Sequence, residues 1–285
     1  MFEHNETLEE ARQRNIMEAL AEDIGRGDWT GMLVPAGRRV RARVIARERA
    51  VLCGRDWFEG VFQRLDASAR LDWTLPDGAW TEPDAPVVTI EADGRALLAA
   101  ERPALNFLQL LSGTATTTRR HVEAVAGASP RAHGCAILDT RKTVPGLRLA
   151  QKYAVRTGGG RNQRLALYDG ILIKENHIAA AGGIPQVLAA ARALDAGVEI
   201  QIEVETLDQL AEALEHGARS VLLDNFDLPR MRAAVAMAGE RAELEVSGGV
   251  GLSQLRDIAA TGVHRISIGR LTKDVTAVDF SMRVV

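Results

Sequence analysis

Two periods of apolar and polar residues alternate along this chain. Between residues 38 and 47 they alternate singly, with Val40, Ala42, Val44 and Ala46 on one side and Arg39, Arg41, Arg43 and Arg47 on the other. That is the pattern of a half-buried antiparallel strand. Upstream, Thr7 and Glu10 have capping-box spacing among Leu8, Ala11, Ile16, Ala19 and Leu20, so residues 7–21 are expected to form an amphipathic helix. Residues 86–90 and 96–99 read as two more strands joined by a hairpin turn at Asp93-Gly94. Arg102-Pro103 then opens a helix with Leu105, Phe107, Leu108 and Leu111 on its apolar side. Residues 1–115 thus read as an α+β unit.

After Gly127 the pattern changes to short apolar runs followed by helical stretches. Residues 136–138, 170–173, 198–204, 220–223, 242–246 and 265–268 are the expected strands. Between them, 184–194, 207–215 and 252–260 are expected helices, the second preceded by a capping box at Thr206 and Gln209. Strands alternating with helices imply a parallel sheet with right-handed crossovers, either open or closed into a barrel. In both forms the ligand site sits at the carboxyl ends of the strands.

Composition narrows the class. The chain has 285 residues, 46% apolar and 26% charged, enough for one large domain or two ordinary ones. Its formal charge of −3 gives no global basic field for nucleic acid and no acidic excess for disorder. Residues 1–15 carry Glu3, Glu6, Glu9 and Glu10 where a leader would be basic and then apolar, and no apolar run approaches membrane-spanning length. A cytoplasmic protein with no membrane partner is expected. Cys53 and Cys135 are too few and too far apart for a disulfide framework or a zinc cage, so two inert thiols are expected. All four tryptophans fall before residue 81, which implies two different cores. Positive charge is written almost wholly as Arg, and the four lysines are Lys142, Lys152, Lys174 and Lys273. A compact ammonium suits phosphate or nucleophilic work, so these lysines stand out.

The strand ends carry the chemistry. They read Asp139-Thr140-Arg141-Lys142, Lys174-Glu175-Asn176-His177, Glu203 and Glu205, Asp224-Asn225, Ser247-Gly248-Gly249, and Gly269-Arg270. Arg141, Lys142, Arg164 and Lys174 gather cations suited to a polyanionic ligand. Glu203 and Asp224 suit sugar hydroxyls, a divalent metal or a developing positive charge. Glycines after the last two strands resemble the phosphate cradle of barrel folds. Neither a complete dinucleotide fingerprint nor a Walker motif is present. Gly158-Gly159-Gly160 reads as a hinge or an anion nest, and His177 as a hydrogen-bonding support. The arginines between Arg38 and Arg55 lack interleaved aromatics, so they suit a solvated face or a subunit contact better than nucleic acid.

The blocks from Leu138 to Arg148, Lys152-Tyr153-Ala154-Val155, the triple glycine and Ile171 to Ile178 closely resemble the quinolinate phosphoribosyltransferases, and so do Glu22 to Thr30, Glu101 to Asn106, Leu223 to Phe226 and Glu245 to Gly248. The resemblance covers nearly the whole chain. It implies an α/β fold: an incomplete α/β barrel of about six strands (116–270), an N-terminal α+β open sandwich domain (1–115) and a C-terminal segment (271–285) returning to the latter. It further implies that quinolinate and phosphoribosyl pyrophosphate give nicotinate mononucleotide, pyrophosphate and CO2, with Mg2+ carried mainly on the pyrophosphate and no protein metal ligand assigned.

By the same resemblance, Lys142, Glu203 and Asp224 are the catalytic residues, Lys142 engaging the phosphoribosyl pyrophosphate and the carboxylates the ribose hydroxyls. Arg141, Arg164 and Lys174 hold the quinolinate carboxylates, and Gln163 is counted with them among the substrate-binding residues. Ser247, Gly248, Gly249 and Gly269 take the 5-phosphate, with Lys273 a further phosphate contact. Arg102 crosses to the neighbouring site, making a homodimer or higher even oligomer. One position departs: after the triple glycine the familiar family pattern is Asn-His-Arg, and here it is Asn162-Gln163-Arg164. Glutamine offers a neutral donor where a histidine could carry charge. This keeps open a same-fold paralogue for another pyridine or related acid, such as the molybdenum-associated members. A strand-end Lys174 also permits a Schiff-base lyase, and the Arg38 to Arg55 face an RNA binder.

Overall fold

The computed structural model describes residues 4–285, so Glu3 of the acidic start lies outside the described residues. In chain order the strands are β1 Arg39–Ala46, β2 Arg70–Trp73, β3 Pro86–Asp93, β4 Ala136–Leu138, β5 Gly170–Ile173, β6 Glu199–Val204, β7 Ser220–Asp224, β8 Glu243–Ser247, β9 Arg265–Ser267 and β10 Phe280–Val284. They belong to two compact units. One comprises Met1–Arg119, Thr143–Gly159 and Leu271–Val285; the other comprises Arg120–Lys142 and Gly160–Arg270. Leu271–Val285 packs with the first unit, and Thr143–Gly159 does so as well although it lies within the sequence of the second. The cause is long-range: Gln151 Nε2 donates to the Thr272 carbonyl at 2.7 Å, and Tyr153 donates from its hydroxyl to Asp77 at 2.8 Å.

The first unit has an antiparallel sheet in the order β10-β1-β3-β2. The expected alternation holds in β1, where Arg39, Arg41 and Arg43 are exposed while Ala42, Val44 and Ala46 are buried. The helix Leu8–Ile24 starts at a capping box, with Thr7 Oγ1 accepting from the Glu10 amide and Glu10 Oε2 from the Thr7 amide. The core of this unit is largely aliphatic and includes an aromatic cluster, in which Phe58 stacks on Phe62 at 5.1 Å and meets Trp73 edge-on at 5.4 Å. Trp29 does not join it and is exposed.

The expected strand at 96–99, the Asp93-Gly94 hairpin and the helix start at Arg102-Pro103 are not found. A single helix, Gly94–Val125, begins at that turn and runs through Pro103. Asp93 Oδ1 accepts from the amides of Arg95 at 3.0 Å and Ala96 at 3.2 Å, so the aspartate caps a helix instead of turning a hairpin. The run Ala96-Leu97-Leu98-Ala99-Ala100 is built from the strongest helix formers. A proline in a helix interior costs roughly 3 kcal/mol. Burial of Leu97, Leu105, Leu108 and Leu111 outweighs it, at roughly 1.5–3 kcal/mol for each side chain.

The second unit has six parallel strands in the order β4-β9-β8-β7-β6-β5, among the described residues. They do not close into a ring, and β4 and β5 are the two edges. The connection between those edges lies along both of them. Arg161 forms a parallel bridge with Leu138 of β4, and Arg164 Nη1 donates to the Gly170 carbonyl at the start of β5 at 3.0 Å. Alternation sorts each central strand into two faces. Ile202 and Val204, Val221 and Leu223, and Leu244 and Val246 are buried on one. The other carries Glu199, Gln201 and Glu203 on β6, Ser220 and Asp224 on β7, Glu243, Glu245 and Ser247 on β8, and Arg265 on β9. Among the described residues no helix is long and apolar enough to cross a membrane.

Both thiols are buried. Burial pushes the Cys135 thiol up to about 12, and burial with the nearby Asp77 charge raises Cys53 further from its reactive range. Neither cysteine should react with iodoacetamide at mildly alkaline pH in the folded protein, and both should react in denaturant. Intact-mass measurement with and without denaturant checks this, and rapid labelling of either thiol in the folded state contradicts it.

Candidate active site

The carboxyl end of β4 is held by Asp139, which is fully buried. Its Oδ2 accepts from Asn162 Nδ2 at 2.5 Å and its Oδ1 from the Gln163 amide at 3.0 Å. A buried carboxylate needs such donors, and satisfying them ties Asn162-Gln163-Arg164 to the strand that leads into Arg141-Lys142. Two guanidinium groups are thereby brought within each other's field. Burial, then the charge of Arg141, lowers the Arg164 pKa, with Asp169 opposing. The Nε atoms of both arginines are buried without a hydrogen-bond partner. Two confined like charges with unpaired Nε donors have the chemistry to take a ligand bearing carboxylates.

Across the sheet, Lys174 follows β5 and Glu203 lies on β6. Lys174 Nζ donates to Glu203 Oε2 at 2.8 Å and Oε1 at 3.2 Å. The inward glutamate thus has the partner its position demands. The lysine is half exposed and ion-paired, which is not the desolvated setting that activates a Schiff-base lysine. His177 accepts at Nδ1 from the Lys174 amide at 3.0 Å, closing the first turn of the helix Glu175–Ala181, and so acts as a support.

Asp224 ends β7. Burial first, then the negative charge of Glu203, raises its pKa, while Lys174, Lys142 and the Asn225 amide lower it. Asn225, at φ 53°, donates from Nδ2 to Asp224 Oδ2 at 2.8 Å. The loop after β8 packs against that asparagine. Gly248 has φ 103°, and a Cβ there would stand 2.2 Å from Asn225 Oδ1, so only glycine fits. Gly249 also has positive φ, at 57°. Gly269, after β9, leaves room for the stem of Lys142, whose Cδ would be 3.0 Å from an added Cβ.

All the site residues expected from the sequence fall in the second unit except two. Arg102 is exposed on the helix Gly94–Val125, and Lys273 ends the short helix Arg270–Lys273 with its Nζ on Asp274; both belong to the first unit. The sequence reading missed a set deeper in the sheet. Gln201 Nε2 donates to Glu245 Oε2 at 2.9 Å, and Glu245 Oε2 lies 3.0 Å from Arg265 Nε. Arg265 also meets Glu199, Glu243 and Ser220. The signal was available as single alternation of polar residues, Glu199-x-Gln201-x-Glu203 and Glu243-x-Glu245-x-Ser247, in otherwise apolar strands.

Comparison with known proteins matches residues 28–112 to the quinolinate phosphoribosyl transferase N-terminal domain and 114–283 to the C-terminal domain of the same family. The chain is 39% identical over 280 residues to the nicotinate-nucleotide pyrophosphorylase [carboxylating] of Mycobacterium leprae, covering 96% of this chain and 97% of the relative. It is 38% identical over 264 residues to the probable enzyme of the same name from Bacillus subtilis, covering 92% and 90%. The solved nicotinate-nucleotide pyrophosphorylase of Francisella tularensis superposes with a TM-score of 0.92 at 40% identity, over 99% of this chain and 100% of that one. Sequence, fold and arrangement of strand ends converge, and the chain belongs to the quinolinate phosphoribosyltransferase family.

Proposed function

We propose that this protein transfers the phosphoribosyl group of phosphoribosyl pyrophosphate to quinolinate with loss of CO2, giving nicotinate mononucleotide and pyrophosphate in NAD biosynthesis. The observation that carries the reading is the confined pair Arg141 and Arg164 with unpaired Nε donors, beside a lysine, a carboxylate pair and a glycine cradle. A pyridine dicarboxylate answers the first feature and a phosphorylated sugar the others.

The chemistry follows from charge. The pyridine nitrogen attacks the anomeric carbon as the bond to pyrophosphate breaks, and that electron pair leaves with the pyrophosphate. Positive charge develops on the ribose, where Glu203 and Asp224 oppose it. The product ring is a pyridinium, so the 2-carboxylate departs as CO2 and leaves its bonding pair on the ring, which takes up a proton. The arginines hold the acid in register for attack. Lys142 meets the co-substrate's phosphates, Lys174 turns from Glu203 toward the acid, and Ser247, Gly248, Gly249 and Gly269 surround the 5-phosphate.

Mg2+ fits this donor set. Burial first and then the like charge of Glu203 raise the pKa of Asp224, and a divalent cation would offset that second cause. Asp224 and Glu203 are the residues that would face it, with the ion carried mainly on the pyrophosphate of the co-substrate. When bound, it neutralises charge on the leaving pyrophosphate. The working form is a cytoplasmic homodimer or higher even oligomer, with Arg102 serving a neighbouring site and Lys273 a phosphate.

Three outcomes are expected. Purified protein with quinolinate, phosphoribosyl pyrophosphate and Mg2+ should form nicotinate mononucleotide, nicotinate should not replace quinolinate, and Lys142→Ala should lose on the order of 10²-fold in kcat. Absence of product from quinolinate with folded parent protein sinks the proposal and favours another pyridine acid. Mixing Arg102→Ala with Lys142→Ala protein should restore activity that neither has alone, because one intact site forms in the mixed dimer. Asp224→Asn should lose activity yet raise Tm at neutral pH. The folded-state pKa of Asp224 lies above its unfolded value, so its ionised form destabilises the fold above that pKa and ceases to do so as pH falls below the ordinary aspartate range. The gain in Tm should therefore shrink on acidification, which thermal melts across pH check.

A further inference from the structure

A chain of polar side chains runs from the amino ends of the central strands to the residue where this protein departs from the familiar family pattern. Arg265, at the start of β9, meets Glu199 at 2.9 Å, Glu243 at 3.1 Å and Ser220 Oγ at 2.7 Å, all first residues of their strands. Its Nε lies 3.0 Å from Oε2 of the fully buried Glu245. The same Oε2 accepts from Gln201 Nε2 at 2.9 Å, and Gln201 Oε1 accepts from Gln163 Nε2 at 3.0 Å. Gln163 sits between Asn162, anchored on Asp139, and Arg164.

The direction of this chain is set at its buried end. A carboxylate can only accept, so Gln201 must turn its amide nitrogen to Glu245 and its oxygen to Gln163. Gln163 must then turn its nitrogen to Gln201. Arg265 and Gln201 both meet Glu245 at Oε2, while its buried Oε1 has no hydrogen-bond partner. Gln201 is itself 3% exposed, and an unmet amide there would be costly. Held at the backbone by Asp139 and at the side chain by Gln201, Gln163 has neither end adrift, and Arg164 follows it in the chain.

We propose that Gln201, oriented by the Glu245–Arg265 pair, is a positioning residue that sets Gln163 and thereby the selectivity of the site for its pyridine acid. The inference rests on the proposed quinolinate reaction and adds to it residues that touch neither substrate. A neutral amide pair braced by a buried carboxylate does the orienting work here.

A double-mutant cycle tests it, with KM and kcat for each substrate and Tm measured on the parent, Gln163→Ala, Gln201→Met and the double variant. Gln201→Met should raise the quinolinate KM about tenfold, within the coupling range of contacting residues, and leave the phosphoribosyl pyrophosphate KM within about twofold. The double variant should be no worse for quinolinate than Gln163→Ala alone, because Gln201 acts through Gln163. Glu245→Gln keeps the shape of the buried side chain and removes the charge that orients Gln201; it should move the quinolinate KM in the same direction by less. A quinolinate KM unchanged in both Gln201→Met and Glu245→Gln, losses that multiply in the double variant, or equal changes for both substrates would overturn the positioning role. A parent protein that does not turn over quinolinate instead removes the substrate reading beneath it, so the two failures are told apart.

Discussion

The site depends on one buried carboxylate. Asp139 has no contact with water and must find its donors within the protein, and it finds them on Asn162 and Gln163, more than twenty positions along the chain. That requirement joins the end of the edge strand β4 to the segment leading toward β5. Arg141, two residues after the aspartate, and Arg164, one after Gln163, come within each other's field as a result. Nothing in the local propensity of either segment would place two guanidinium groups together. The repulsion is held in place by hydrogen bonds whose loss would leave a buried charge unmet, and a dianionic ligand would relieve it.

Charges of opposite sign are treated differently on the other strands. Glu203 is compensated by Lys174, whereas Asp224 is left with a raised pKa by burial and by Glu203. Below them, Glu245 is compensated by Arg265 and Gln201. The buried Glu245 thus has a cation and an amide on one of its oxygens, whereas Asp224 at a strand end is left with the like charge of Glu203 beside it. Incomplete compensation is what a site for highly charged substrates requires, since a fully paired site would have to be broken before it could bind.

Much of this was legible in the sequence. The six short apolar runs and their polar termini marked the parallel sheet and most of the site, because burial on one face and chemistry at one end leave a periodic trace. Three things were not legible. Asp93-Gly94 carries the same letters for a hairpin and for a helix cap, and the contacts of the Asp93 carboxylate decide between them. The placement of Thr143–Gly159 depends on partners such as Asp77 and Thr272 that lie far away in the chain. The pairing of Gln201 with Glu245 depends on which strands are neighbours, although the alternation that turns both inward was in view.

The division of the chain into units has a consequence for how the protein is made. The antiparallel sheet needs β10, whose residues Phe280 to Val284 pair with Ala42 to Ala46 of β1. The helix Arg148–Thr157 also belongs to that unit. On the ribosome, the part that begins first is therefore the last to have all its pieces, and the parallel sheet between them has its full sequence earlier. Until β10 emerges, the edge of β1 that it covers has no partner strand, and the row of arginines on β1 discourages pairing with another nascent chain.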